Sequence, residues 1–591
     1  MKEHLEYFKL QGLSLLILAI TQPEVGSQPL TVNARYIMTT QLIDSQGVRV
    51  AIEGCGHGAL HAIYASIDES CKARGWDGVD VVLIGGDFQA VRNAADLNSM
   101  AVPLKYRKLG DFPEYYSGRS KAPYLTLFVG GNHEAASHLW ELYYGGWVAP
   151  NIYYLGAANV VRVGPLRIAG MTGIWKGFDY KKTHHERLPF SGDDVRSFYH
   201  VREVDVRKLL QLRTQVDIGM SHDWPRLIER HGDEKWLFRV KRAFEKESYD
   251  GTLGNPAATY VMDRLRPPYW FSAHMHCKFS AVKKYPPPTG GQEKAEDTTQ
   301  PPVPPASADE PEPIADPLAN PDEIDLDMDD DAPAAPQPKE PSSTTEPSPA
   351  VADDVRAQLP ASFNKPKVEK KGTPGQPVPA GITNQEVRFL ALDKCLPGRH
   401  FLQLCEIQPH DPSESARHPS SSSPTPDTPR YRFQYDPEWL AITRVFSREL
   451  TIGDAAAPHP PDLGESHYAP LIDAELAWVT ENIVARNKLD VPDNFAVTAP
   501  PHEEGLPESV QDQPIEYTNP QTVAFCELLE VPNLWDASEV EREQRRMEGP
   551  AQTQWRGGRG GRGGGGRGGR RGGGGWGRGR GGRRGGWGKE N

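Results

Sequence analysis

Five short clusters along the chain collect residue types that bind divalent metal ions. They are Gly54-Cys55-Gly56-His57, Gly85-Gly86-Asp87, Gly130-Gly131-Asn132-His133-Glu134, Ser221-His222-Asp223 and Ala273-His274-Met275-His276. A catalytic divalent site wants imidazole, carboxylate, and carbonyl or thiolate donors, and keeps a position open for water. Cys55, His57, Asp87, Asn132, His222, His274 and His276 supply that set, with Asp87 able to bridge two ions. Two ions held close together can grip the attacking and leaving oxygens of an in-line displacement at phosphorus. Singly, each cluster has a plainer explanation: Gly-Asp as a turn, His-x-His as two faces of a strand, a strand-end His as a hydrogen-bonded structural residue. All five occur together, each after an apolar run, which points to one site.

Those runs are the elements that must position the donors. Val48-Arg49-Val50-Ala51-Ile52, Val79-Asp80-Val81-Val82-Leu83-Ile84, Tyr124-Leu125-Thr126-Leu127-Phe128-Val129 and Val216-Asp217-Ile218-Gly219-Met220 are short and rich in β-branched residues. Nearly continuous apolar runs of this length read as strands buried on both faces. In open α/β sheets, ligands collect outside the carboxyl ends of strands. The pattern therefore predicts a compact α/β domain over 48–285 with its site at one rim.

The order of motifs is similar to that of the calcineurin-like metallophosphoesterases, whose first motif is commonly Asp-x-His. Cys55 stands where that Asp would be. Cys55, together with Ala51-Ile52-Glu53-Gly54-Cys55-Gly56-His57-Gly58, Tyr144-Gly145-Gly146-Trp147-Val148-Ala149-Pro150-Asn151 and Ser221-His222-Asp223-Trp224-Pro225, resembles the RNA lariat debranching enzymes. The likeness resumes at Phe389-Leu390-Ala391-Leu392-Asp393-Lys394-Cys395-Leu396-Pro397.

The resemblance implies a metallophosphoesterase β-sandwich flanked by helices, with a smaller C-terminal domain over 384–490. It implies two divalent ions, one held by Cys55, His57, Asp87 and His276, the other by Asp87, Asn132, His222 and His274. It further implies hydrolysis of the 2′–5′ phosphodiester at the branch point of intron lariats, with Asp87 and His133 as catalytic residues and His133 protonating the departing 2′-oxygen. No small-molecule cofactor is expected. A soft thiolate favours Zn2+ or Fe2+ over Mg2+, with Mn2+ a further candidate, and brings sensitivity to oxidation. Asp223 has two readings, orienting His222 or another imidazole, or capping a helix before Trp224-Pro225.

Between the third and fourth clusters, Trp175, Lys176, Tyr180, Lys181 and His185, then Tyr199 and His200, mix aromatic and cationic side chains in an expected loop. Such a mixture suits stacking on splayed bases and contacting phosphates. In the resembled family this region corresponds to the loop that recognises the branch. A solvated loop whose aromatics patch the core is the duller alternative.

Composition divides the remainder. The 591 residues carry a net charge of −13, but 551–591 hold ten Arg, one Lys and one Glu, so that the tail is at +10 and residues 1–550 at −23. The tail, with Arg556, Arg559, Arg562 and Arg567 spaced by glycine, cannot form a core and suits salt-sensitive, sequence-independent RNA binding. Residues 286–383 are Pro-rich and acidic and read as a disordered insert, and 491–550 as mostly disordered apart from a short helix near 539–547. The strands Arg388–Leu392 and Phe401–Ile407 read as joined by the turn Pro397-Gly398. Residues 1–47 read as an extension outside the fold. Their apolar stretch 13–20 is far too short to span a bilayer, so no membrane partner is expected. Six cysteines without framework spacing point to a reducing compartment. The basic patch Lys365-Pro366-Lys367-Val368-Glu369-Lys370-Lys371 is a candidate nuclear import signal. The competing functions are a metallophosphoesterase acting on a DNA end or a phosphoprotein, and a non-catalytic RNA-binding scaffold.

Overall fold

The computed structural model describes residues 47–286, 373–421 and 429–550. The apolar stretch 13–20, most of the acidic insert with its basic patch 365–371, and the tail with Arg556, Arg559, Arg562 and Arg567 lie outside the described residues.

Two mixed sheets face each other. The first is six-stranded and is built from β1 (Val48–Glu53), β2 (Val81–Ile84), β3 (Thr126–Phe128), β4 (Gly146–Ala149), β5 (Ile152–Tyr154) and β12 (Leu402–Ile407), in the order β12-β1-β2-β3-β5-β4. The second is seven-stranded and holds β6 (Ala158–Val163), β7 (Leu166–Met171), β8 (Ile218–Ser221), β9 (Tyr269–Ser272), β10 (Phe279–Lys284), β11 (Glu386–Ala391) and β13 (Phe433–Tyr435), in the order β10-β11-β9-β8-β7-β6-β13. In the first sheet β1, β2, β3 and β5 run parallel, and in the second β7, β8, β9 and β11 do.

The two-residue period of a strand explains the layering. Val48, Val50, Ile52, Val81 and Leu83 point inward and meet Ile168, Ile218, Met220 and Phe271 of the second sheet. Their neighbours Ala51, Val82 and Ile84 point outward, under Leu60, Ile63, Tyr64, Ile67 and Cys71 of the helix Leu60–Arg74. Spaced at three, four and seven residues, those five form one helical stripe, and Gly75 ends the helix in the left-handed conformation at φ 71°. The second sheet is likewise covered on its outer face, where Ala169, Trp270 and Phe389 pack with the helices Glu203–Leu210, Pro256–Leu265 and Pro437–Phe446. With both faces covered, the parallel strands are apolar throughout, as their runs indicated.

The C-terminal half adds detail to two expectations and changes a third. The turn Pro397-Gly398 joins strands that belong to different sheets. β11 lies between β9 and β10 of the second sheet, while β12 pairs antiparallel with β1 of the first. The smaller C-terminal module therefore completes both sheets. Residues 491–550 are also ordered: Trp535 stacks on Tyr143 with ring centroids 4.5 Å apart, and Gln521 exchanges two hydrogen bonds with the Trp147 backbone at 2.7 and 2.8 Å. Their order comes from long-range contacts, to which no local periodicity testifies. Among the described residues, no helix is long and apolar enough to cross a membrane.

Candidate metal centre

The loops that follow β1, β2, β3, β8 and β9 carry the seven candidate ligands to one rim of the sandwich. Four of them, His57, Asp87, His274 and His276, sit at positive φ of 42°, 46°, 62° and 44°. Non-glycine residues seldom adopt that conformation, and it concentrates where structure is strained for function. Space is as tight as the backbone. A Cβ on Gly131 would lie 2.1 Å from Asp87 Oδ1, and one on Gly86, which has φ 124°, would lie 2.2 Å from His222 Nδ1.

Ligand atoms of Cys55, His57, Asp87 and His276 all lie within 4.8 Å of one another. The Nε2 atoms of His57 and His276 face each other at 3.2 Å, an arrangement that a shared cation satisfies. On the other side, His222 Nε2 is 3.2 Å from Asn132 Oδ1 and 3.4 Å from Asp87 Oδ1, and the His274 ring centroid is 4.9 Å from that of His222. Asp87 thus turns Oδ2 toward His57 at 3.7 Å and Oδ1 toward His222. One carboxylate reaches both halves, as a dinuclear centre requires.

The tautomers suit ligation. His222 Nδ1 donates to the Gly85 carbonyl oxygen at 2.9 Å, which leaves the Nε2 lone pair for a cation. Burial lowers His57 to about 4 and His274 to about 3, and it also lowers His222 and His276, so all four imidazoles are neutral near pH 7. Burial alone would raise Asp87, but His222, His133 and His57 around it hold its carboxyl well below the usual range. Cys55 is pushed the other way: burial, then Asp87 and Glu53, keep its thiol well above the ordinary value. It becomes a thiolate only beside a cation. By donor types, neutrality and spacing, the residues fit two divalent ions.

His133 lies at the same rim. Its backbone N–H donates to Asp87 Oδ1 at 2.9 Å, its Nδ1 is 3.8 Å from Asp87 Oδ2, and its Nε2 has no partner among the described residues. Asp223 follows neither sequence reading. Its carboxylate accepts the backbone N–H of Trp175 at 3.4 Å, tying the 174–200 loop to the end of β8, while His222 is oriented by Gly85.

Within that loop, the aromatics and cations separate. Trp175 packs on Tyr180 at 4.8 Å, and Lys176 and Tyr180 are half-buried while Lys181 is exposed. His185 is partly buried, with Nδ1 3.2 Å from the Thr183 carbonyl oxygen. Tyr199 and His200 are only 3% and 4% exposed, and His200 Nδ1 bonds Asp179 at 2.6 Å, so these two shape the base of the loop. Phe178, on the same loop, is 70% exposed.

Glu134 stands inside the third cluster, and no role followed from its type alone. The Glu134 carboxylate accepts the N–H groups of Phe88, Gln89 and Gly131 at 2.8, 2.8 and 2.9 Å, joining the Asp87 loop to the Asn132 loop. Burial and then Asp87 raise its carboxyl to about 7 against those three donors. Glu53 is buried beside Cys55, and neither of its oxygens has a partner among the described residues. Burial and then Asp87 raise it well above the carboxylate range.

Comparison with known proteins agrees with this geometry. Residues 48–278 match the calcineurin-like phosphoesterase family, whose members use a dinuclear metal centre, and residues 384–534 match the lariat debranching enzyme C-terminal domain. The second match extends past residue 490, through part of the ordered segment described above. The chain is 38% identical to the lariat debranching enzyme of Schizosaccharomyces pombe, over 81% of this chain and 95% of that protein. It is 38% identical to that of Homo sapiens over 81% and 68% of the two chains, and 34% identical to that of Arabidopsis thaliana over 84% and 90%. The chain belongs to the lariat debranching enzyme family of the calcineurin-like phosphoesterases.

Proposed function

We propose that this chain hydrolyses the 2′–5′ phosphodiester bond at the branch point of excised intron lariats, acting in mRNA processing and intron turnover. The observation that carries this reading is the convergence of Cys55, His57, Asp87 and His276 in a chain that aligns with debranching enzymes across both sheets. Two divalent cations held by the seven ligands would acidify a water and neutralise the phosphoryl oxygens. The soft sulfur of Cys55 favours Fe2+ or Zn2+, with Mn2+ able to substitute.

The protein supplies position and a proton. Asp87 is fixed by the His133 N–H, and Asn132 by the turn that Glu134 ties down. His133, whose Nδ1 stands 3.8 Å from Asp87 Oδ2, gives the departing 2′-oxygen its proton. Trp175, Lys176, Phe178, Tyr180 and Lys181 meet the splayed branch nucleotide by stacking and charge. The Arg-Gly tail adds sequence-independent RNA affinity. The nucleus is the compartment this substrate implies.

The test is a branched RNA carrying both 2′–5′ and 3′–5′ linkages, incubated with the full chain and Fe2+, Zn2+ or Mn2+ in turn. Selective loss of the 2′–5′ bond is the expected result, and equal cleavage of both linkages would overturn the reading. Deleting 551–591 should weaken RNA affinity and leave kcat intact.

A further inference from the structure

The connection between β11 and β12 passes directly over the turn that holds Cys55. Cys395 N–H donates to the Cys55 carbonyl oxygen at 3.2 Å, Gly54 N–H donates to Phe401 O at 3.0 Å, and Lys394 pairs with Cys55 as an isolated bridge. The fit admits no slack, since a Cβ on Gly54 would lie 2.0 Å from the Asp393 carbonyl oxygen. The loop also closes on itself, through Asp393 N–H to His400 O and Arg399 N–H to Leu396 O, both at 3.2 Å. Lys394 is therefore held by its covalent neighbours at the Cys55 edge of the metal centre.

Two more cations gather there. The Arg399 guanidinium, 46% exposed, lies 3.7 Å from the nearly buried Asp393 carboxylate. Lys241 follows the helix Glu234–Val240 and comes from a separate part of the chain. Partial burial, and then the positive charges of Arg399 and Lys394, hold the Lys241 ammonium below its ordinary range even with Cys277 and Asp393 opposing. Arg399 pairs with Asp393, and the charges of Lys241 and Lys394 act on the same carboxylate. Like charges held together are unfavourable until an anion arrives, and a polyanion recovers that cost by engaging several of them at once.

A branch nucleotide sends strands in three directions, so a single recognition loop cannot guide them all. The 174–200 loop is tied to the end of β8 and carries Lys176, whose charge acts on His274, whereas the charge of Lys394 acts on His57 and His276. We propose that Lys394, Arg399 and Lys241 form a phosphate track that carries one arm of a branched RNA away from the Cys55 side of the metal centre. This rests on the debranching reading and adds to it a role for the C-terminal segment: it brings a substrate-binding surface to a site whose candidate metal ligands all lie before residue 277.

The test compares the full chain with Lys241→Gln, Arg399→Gln and the double variant. Steady-state cleavage of branched RNA is measured over a range of salt, alongside fluorescence anisotropy with a labelled unbranched single strand. The double variant should raise KM about five- to tenfold with kcat within about twofold. Its log–log salt slope for binding should be shallower by about 0.7 for each phosphate that the variant no longer engages. Arg399→Lys should recover most of the slope, because it keeps the charge. Unchanged KM and slope, or a fall in kcat alone, would overturn the track. If the wild type leaves the 2′–5′ bond intact, the debranching reading fails instead. Anisotropy still judges the track in that case, and equal affinities would sink it.

Discussion

The backbone N–H of His133 donates to Oδ1 of Asp87 at 2.9 Å, so the residue proposed as the proton source also fixes the carboxylate that reaches both proposed metal positions. The bond comes from the peptide, not the imidazole. His133→Ala should therefore leave Asp87 in place and remove only the proton source. We expect kcat on branched RNA to fall by about 10²- to 10⁴-fold with little change in KM or metal content. Retention of more than a tenth of the wild-type kcat would exclude His133 as the acid.

Glu134 satisfies three buried N–H groups from two loops. Glu134→Ala strands all three, at a cost of about 1–3 kcal/mol for each unsatisfied donor. Glu134→Gln keeps acceptor capacity for part of the set and should fall between. Denaturant titration together with metal analysis reads the effect. A variant as stable and as metal-replete as the wild type would refute the role of this carboxylate.

Gly131→Ala should disrupt the centre by sterics alone, since the added carbon would press on Asp87 Oδ1. The expected outcome is loss of bound metal with the fold retained. Gly192→Ala is the control: nothing lies within 4 Å of its Cβ position, and it opens the short helix Gly192–Ser197. That change should be neutral or slightly stabilising. Equal metal content in both variants would contradict the packing argument.

Metal loading should depend on pH through Cys55 rather than through the histidines. His57 and His274, at about 4 and about 3, are already neutral across pH 6–8 and contribute no slope there. The Cys55 thiol, raised above its ordinary value, must lose its proton as the ion binds. Affinity should therefore climb by about one log unit per pH unit over that window, with one proton released. Calorimetry in buffers of different ionisation enthalpy measures the proton, and Cys55→Ser should abolish most of the slope. A flat affinity in the wild type would rule the thiolate out.

Phe178 is the exposed ring of the 174–200 loop. If it stacks on a base, Phe178→Ala should cost about 1–3 kcal/mol in branched-RNA affinity, and Phe178→Trp should restore it. Stability should change little in either variant. Equal KM for wild type and Phe178→Ala would return the ring to an incidental surface role.

The sequence by itself determined the strands and the donors. Val48–Glu53, Val81–Ile84 and Ile218–Ser221 announce themselves because a strand covered on both faces must be apolar at every position, and the residues after each stand out as the first that cannot be buried without a partner. The seven ligand types could be named for the same reason. Only the tertiary structure decided what depends on distance between remote segments. It sends β11 and β12 to different sheets, because strand pairing answers to the whole sandwich and not to the turn between them. It orders 491–550 through contacts such as Trp535 on Tyr143, separated by nearly 400 positions in the chain and invisible to any local period. It gives Asp223 to the Trp175 N–H, buries Tyr199 and His200, and leaves Phe178 outside. A side chain's type states what it can bind, whereas its burial and its neighbours, which only the fold supplies, determine what it does bind.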